Sequence, residues 1–152
     1  MILVRSAISI GALALAACQP PAPIDGPPDP AGARDDAYLP FTEPLRSELV
    51  GATVAVLRTL KPDHRCVDSR ILRVPVAEAP AVVAHYRRAL PNWKPLALTS
   101  PSRTQVAGLT NGQAVFAIVQ PAGSQDGYAG LGIVTDTAWD ADSKQRVAEC
   151  LR

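Results

Sequence analysis

Three cysteines, two histidines and one short basic run are the groups in this 152-residue chain whose types could carry chemistry. Cys66 lies two residues after His64, the pair from which an activated thiolate is built, but no third group stands at a spacing that would orient the imidazole. Metal sites need clustered ligands, and His64 and His85 stand alone, without a Cys-x-x-Cys or a His-x-x-x-His. Asp136, Asp140 and Asp142 lack the glycine and glutamate of a calcium loop and read as the acidic start of a helix. Ser102, Ser124 and Ser143 sit in loops with no Gly-x-Ser-x-Gly around them. Gly127-Tyr-Ala-Gly-Leu-Gly132 falls on a strand with no helix after it, so it is not a phosphate cradle. The reading is of no enzyme, no catalytic residue, no metal and no cofactor. What comes nearest to a site is His85 with Arg87 and Arg88, with Arg70, Arg73 and Lys94 as candidate neighbours. Such a patch would receive an anionic glycan or an acidic partner surface; a solvated helix face explains it as well.

Cys18 has a different context. Arg5 is the sole charge before Asp25, and Ser6 to Ala17 is apolar or small throughout. A basic n-region, an apolar h-region and a small-residue end make a secretory signal, too short for the roughly 20 residues a spanning helix needs. The end of that segment, Leu15-Ala16-Ala17-Cys18, resembles the lipobox of bacterial lipoproteins. The resemblance implies a signal peptide over 1–17, removed just before Cys18, with a diacylglycerol on the Cys18 thiol and the new amine open to acylation (a palmitate-type anchor). Each buried methylene adds about 0.8 kcal/mol, and stable anchoring takes at least two chains. Gln19 rather than Asp after the cysteine resembles lipoproteins directed to the outer membrane.

Lipidation of Cys18 leaves Cys66 and Cys150, which an oxidising compartment would pair. The closed loop of about 85 residues would add roughly 4–5 kcal/mol in the chain-entropy picture. Of the 15 Lys and Arg, Arg5 belongs to the leader, which leaves 14 against 14 Asp and Glu. That balance argues against nucleic-acid binding and against a polybasic membrane patch. Residues 18–40 hold seven of the 15 prolines and almost nothing apolar to bury, and read as a semi-extended tether with a reach of some 40–60 Å at about 3 Å per residue. A proline-rich recognition peptide is the alternative.

Residues 41–152 then read as one small domain. Phe41 to Val50 suits a short helix capped by Thr42, with Gly51 as punctuation and a strand over 52–60 rich in β-branched residues. One continuous helix over 43–60 is the alternative, since 45, 49, 52, 56 and 60 share a helical face. A strand follows over 67–76, with Leu72, Val74 and Val76 on one side. Glu78 to Leu90 is the clearest helix: Pro80 in the first turn, Ala79, Val82, Val83, Tyr86 and Leu90 inward, Pro91 as the stop. Strands over 93–99, 103–109, 113–120 and 128–137 follow, with a hairpin turn at Asn111-Gly112 and a polar loop over 123–127. The tail from Asp140 reads as a short helix that delivers Cys150 to the domain. The fold class is α+β: a curved antiparallel sheet of about 5–6 strands, one main helix over about 78–90 on one face, and a short C-terminal helix. Phe116 and Ile118 alternate with Val115 and Val119, so the face away from that helix needs cover too, from 41–50 and 140–152 or from a partner.

The strand Gly51-Ala-Thr-Val54, the helix end Tyr86-Arg-Arg-Ala-Leu-Pro-Asn-Trp93 and the Asn-Gly hairpin resemble a group of small exported bacterial domains of unassigned function over roughly 50–136. That resemblance carries no catalytic residues across. The expected function is a lipid-anchored envelope protein, held in the membrane through Cys18 and facing the periplasm, that binds or scaffolds an envelope protein partner. The alternative is a small-ligand-binding domain that uses the open sheet face.

Overall fold

Leu45, Leu49, Ala52, Val56 and Leu60 recur at the spacing of one helical face, and they form one helix, α1 (Leu45–Leu60). In the computed structural model, which describes residues 26–35, 41–64, 66–101 and 103–136, all five are buried, together with Thr53. The strand expected over 52–60 is therefore helix, and Gly51 lies inside it on the exposed side. The 3.6-residue period, which lets one side be buried, outweighs the β-branched composition. Thr42 does not cap the helix: its N–H and hydroxyl both donate to Gln125 Oε1, at 2.8 and 3.1 Å. Glu43 serves the first turn instead, accepting from the Ser47 N–H at 3.2 Å.

Among the described residues seven strands make one antiparallel sheet: β1 (Arg34–Asp35), β2 (Val67–Pro75), β3 (Lys94–Leu96), β4 (Thr104–Thr110), β5 (Val115–Pro121), β6 (Ser124–Gln125) and β7 (Tyr128–Asp136). The order across it is β1-β2-β7-β5-β4-β3, with β6 also on β7. Five of the expected strands are present; β1 and β6 are additional. The 93–99 strand contracts to three residues around Pro95, which has no N–H for a ladder and is confined to an edge. Asn111 closes the β4–β5 turn by accepting from the Gln113 and Ala114 N–H groups through Oδ1, at 2.9 and 2.8 Å. The loop expected over 123–127 contains a tight hairpin between β6 and β7. Its central residues Asp126 and Gly127 have φ of 51° and 79°, the backbone that Asp-Gly favours in a two-residue turn.

Both faces of the sheet are covered. The 3-10 turn Ala79–Ala81 and α2 (Val82–Ala89) lie over Leu72, Val74, Phe116, Ile118, Leu131 and Ile133. On the opposite face α1 packs on Val67, Val115, Ala117, Val119 and Val134. The longer helix is thus the one over 45–60, not the one over 78–90, and α1 covers the face for which 41–50, 140–152 or a partner were the candidates. Gly130 and Gly132 let it approach. A Cβ at Gly132 would stand 2.1 Å from Thr53 Oγ1, and one at Gly130 would stand 2.7 Å from Leu49 Cδ2. The C-terminal helix expected from Asp140 lies outside the described residues. Among the described residues no helix is long and apolar enough to cross a membrane.

Candidate functional site

The residues proposed as a binding patch lie on α2, but they are sorted by its geometry. Tyr86 faces the core and is fully buried; His85 is half-buried on one flank; Arg87 and Arg88 are exposed in the last turn. The His85 Nε2–H donates to the Pro28 carbonyl at 2.7 Å, which fixes that nitrogen as the protonated one because a carbonyl can only accept. The imidazole stands edge-on to the Tyr86 ring, with centroids 5.1 Å apart, and Tyr86 in turn packs on Phe116 at 4.7 Å.

Beside them, Asp29 binds Arg70 through both carboxylate oxygens, with 2.9 Å from one guanidinium nitrogen to Oδ2 and 2.5 Å from the other to Oδ1. The forked geometry of the guanidinium suits this two-point contact. Oδ1 also accepts from the Tyr86 hydroxyl at 3.2 Å. A second carboxylate, Asp35, stands 4.0 Å from Arg70. Burial, and next the Asp29 charge, hold the Tyr86 phenol protonated well above its ordinary range, against the opposing pull of Arg70. For Arg70 the largest single influence, burial, works against the charge. The hydrogen bond and charge of Asp29, with smaller help from Tyr86 and Asp35, outweigh it and raise the pKa.

The constellation is a clamp. It holds residues 28–35, read from the sequence as part of a free tether, along the β2 edge and against α2. Pro30 is buried, Ala33 packs on the core, and Arg34 and Asp35 pair with Arg73 and Leu72 as β1. Residues 28–35 thus pack onto the β2 edge and α2.

The wider basic patch does not assemble. Arg70 is engaged by Asp29. Arg73 shares the face of β2 that carries Ile71 and lies 4.9 Å from the Tyr128 ring centroid, on the side away from α2. Lys94 is on β3, at the other edge of the sheet from β1 and β2. Cys66 is buried and disulfide-bonded, so it offers no thiol to His64. Cys18 and Cys150 lie outside the described residues, as do Asp140, Asp142, Ser102 and Ser143. Among the described residues no group of three or more His, Cys, Asp or Glu is placed to hold a metal ion.

Asp29 and Pro28 are the site residues that the sequence hid. One signal pointed to them: Tyr86 falls on the inward face of its helix, and a buried phenol needs a partner for its hydroxyl. No family model, curated protein or solved structure matches this chain.

Proposed function

We propose that this chain is a lipid-anchored cell-envelope protein, attached through Cys18 and facing the periplasm from the outer membrane, whose domain is a non-enzymatic binding or scaffolding module for an envelope protein. The observation that carries the anchor is the sequence Leu15-Ala16-Ala17-Cys18 at the end of an apolar leader. The clamp supports it from the other side. A chain held by its N-terminus needs a defined root for the tether, and the His85, Tyr86 and Arg70 contacts to Pro28 and Asp29 supply one. On this reading the spacer between Cys18 and the clamp is residues 19–27, which at about 3 Å per residue would reach roughly 30 Å. Such a length keeps the domain close to the membrane surface.

Labelling cells with a fatty-acid analogue tests the anchor. Wild-type protein takes up label and fractionates with outer membranes, whereas Cys18→Ser accumulates as unlabelled, uncleaved precursor. A soluble, normally processed wild-type protein would refute the anchor. The disulfide partner proposed for Cys66 is Cys150. A peptide map of the unreduced exported protein should contain the two joined, and a reactive thiol at Cys150 would remove that assignment.

A small-ligand reading that uses the face opposite α2 is not favoured, because α1 packs there. Ligand binding finds its support instead on the α2 side of the sheet.

A further inference from the structure

We infer that a groove on the α2 side of the sheet is a binding site for a small monoanion with an apolar body, of the class of a medium-chain carboxylate. α2 and its leading 3-10 turn leave one end of that face uncovered. Gln105 and Gln120, directly opposite each other on β4 and β5, form the floor with Ala129. Val76, Ala79 and Pro80 make one wall; Arg103 and the turn from Pro121 to Ser124 make the other. The groove is open to solvent and has a volume of about 590 Å³, within the range of clefts that take small ligands.

Three independent features meet there. Val76 is 43% exposed, the single large apolar side chain so exposed among the described residues. Arg103 is a non-glycine residue at φ 64°, held there between two backbone bonds: the Thr104 N–H donates to the Pro101 carbonyl at 3.1 Å and the Ala122 N–H donates to the Arg103 carbonyl at 2.9 Å. Strained backbone of this kind concentrates at ligand-binding positions. Finally, among the described residues Arg103 is the one charged residue of the lining, with no carboxylate in the groove to meet it.

The lining selects the ligand. One wall, Val76, Ala79 and Pro80, is apolar, while the polar side chains lie on the floor and the opposite wall, a division that suits a ligand with an apolar body and one polar head; a phosphate would call for several donors around it. One guanidinium at the rim matches one carboxylate, which it can take through two parallel N–H groups. The Gln120 amide is already oriented, because its Nε2 donates to the Ala79 carbonyl at 3.0 Å. The assignment deepens the binding-module reading and does not depend on the lipid anchor.

The test uses the full mature chain from residue 18 with Cys18→Ser, so that it stays in solution, titrated with octanoate and followed by amide chemical shifts. Expected are saturable shifts at Val76, Gln120 and Ala122, with octanol, the same tail without the charge, at least about fivefold weaker. Arg103→Gly takes the same backbone without strain, so it should fold as well as wild type and bind octanoate no better than octanol. Val76→Asp should weaken both ligands. Shifts that fail to saturate or fall elsewhere, equal affinity for octanol, or full octanoate affinity in Arg103→Gly would each overturn the site. None of these outcomes bears on Cys18, which fatty-acid labelling reads separately.

Discussion

Alanine placed at Gly51 and at Gly132 should move stability in opposite directions, because the two glycines sit on opposite sides of the same helix–sheet contact. Gly51 lies on the exposed side of α1, and a Cβ there would meet nothing within 4 Å. Gly51→Ala should stabilise by about 0.5–1 kcal/mol, the cost of glycine inside a helix. At Gly132 the new Cβ would fall 2.1 Å from Thr53 Oγ1 and 3.2 Å from Thr53 Cβ and Cγ2. Thr53 is 2% exposed, and its hydroxyl donates to the Leu49 carbonyl at 2.7 Å. Either α1 lifts from the sheet or Thr53 turns and breaks that bond. Overpacking costs about 1–3 kcal/mol and the buried bond about 1 more, less roughly 0.5 from the stiffer unfolded chain. A net loss of about 2–3 kcal/mol should lower Tm by about 10 °C at this domain size. Thr53→Ala alone should cost about 1 kcal/mol, and adding Gly132→Ala to it should then cost little, a coupling of about 2–3 kcal/mol. Urea unfolding of the four variants, with the disulfide intact, reads all of these values. If Gly132→Ala is as stable as wild type, or if Thr53→Ala fails to rescue it, the close approach of α1 is not the reason for the glycine.

Two further outcomes concern the clamp. Asp29→Ala removes the partner of a half-exposed Arg70 and the acceptor of the Tyr86 hydroxyl. It should cost about 1–2 kcal/mol and open the chain to trypsin at Arg34 while the rest resists; unchanged cleavage at Arg34 would argue that residues 28–35 are held by something else. Because the Tyr86 phenol titrates higher in the folded chain than in the unfolded one, its share of stability is complete below about pH 10 and fades as pH rises further. Tyr86→Phe should be the less stable protein at neutral pH and show a shallower alkaline decline, and parallel curves for the two proteins would refute the shift.

Much of the sheet was readable because its strands alternate. Leu131 and Ile133 point to α2, while Gly130 and Gly132 point to α1, and that two-residue rhythm is printed in the chain. The 52–60 segment misled because Val and Thr favour strands. The rhythm 45, 49, 52, 56, 60 was equally visible, and a helix buries that face against two glycines that only the folded sheet brings beneath it. Asp126-Gly127 carried a hairpin signal as strong as Asn111-Gly112, but the strand before it is two residues long, below what alternation can reveal.

The clamp was beyond reach for a different reason. A stretch such as Gly26 to Arg34, rich in proline and poor in apolar side chains, cannot offset its own ordering entropy by burial. Here three polar attachments offset it: a two-point Arg70–Asp29 pair, the Tyr86 hydroxyl and the His85 ring, all reaching across at least 41 residues of sequence. Proline lowers the requirement, because a chain stiff before docking has less freedom to lose. Composition alone therefore marks such a segment as free, while its few polar contacts decide that it is bound. The same reasoning demotes His85 from ligand-binding candidate to fastener. Its Nε2 is occupied by the chain's own backbone, so that nitrogen is not open to a ligand, while Arg103 in the proposed groove has no carboxylate beside it among the described residues.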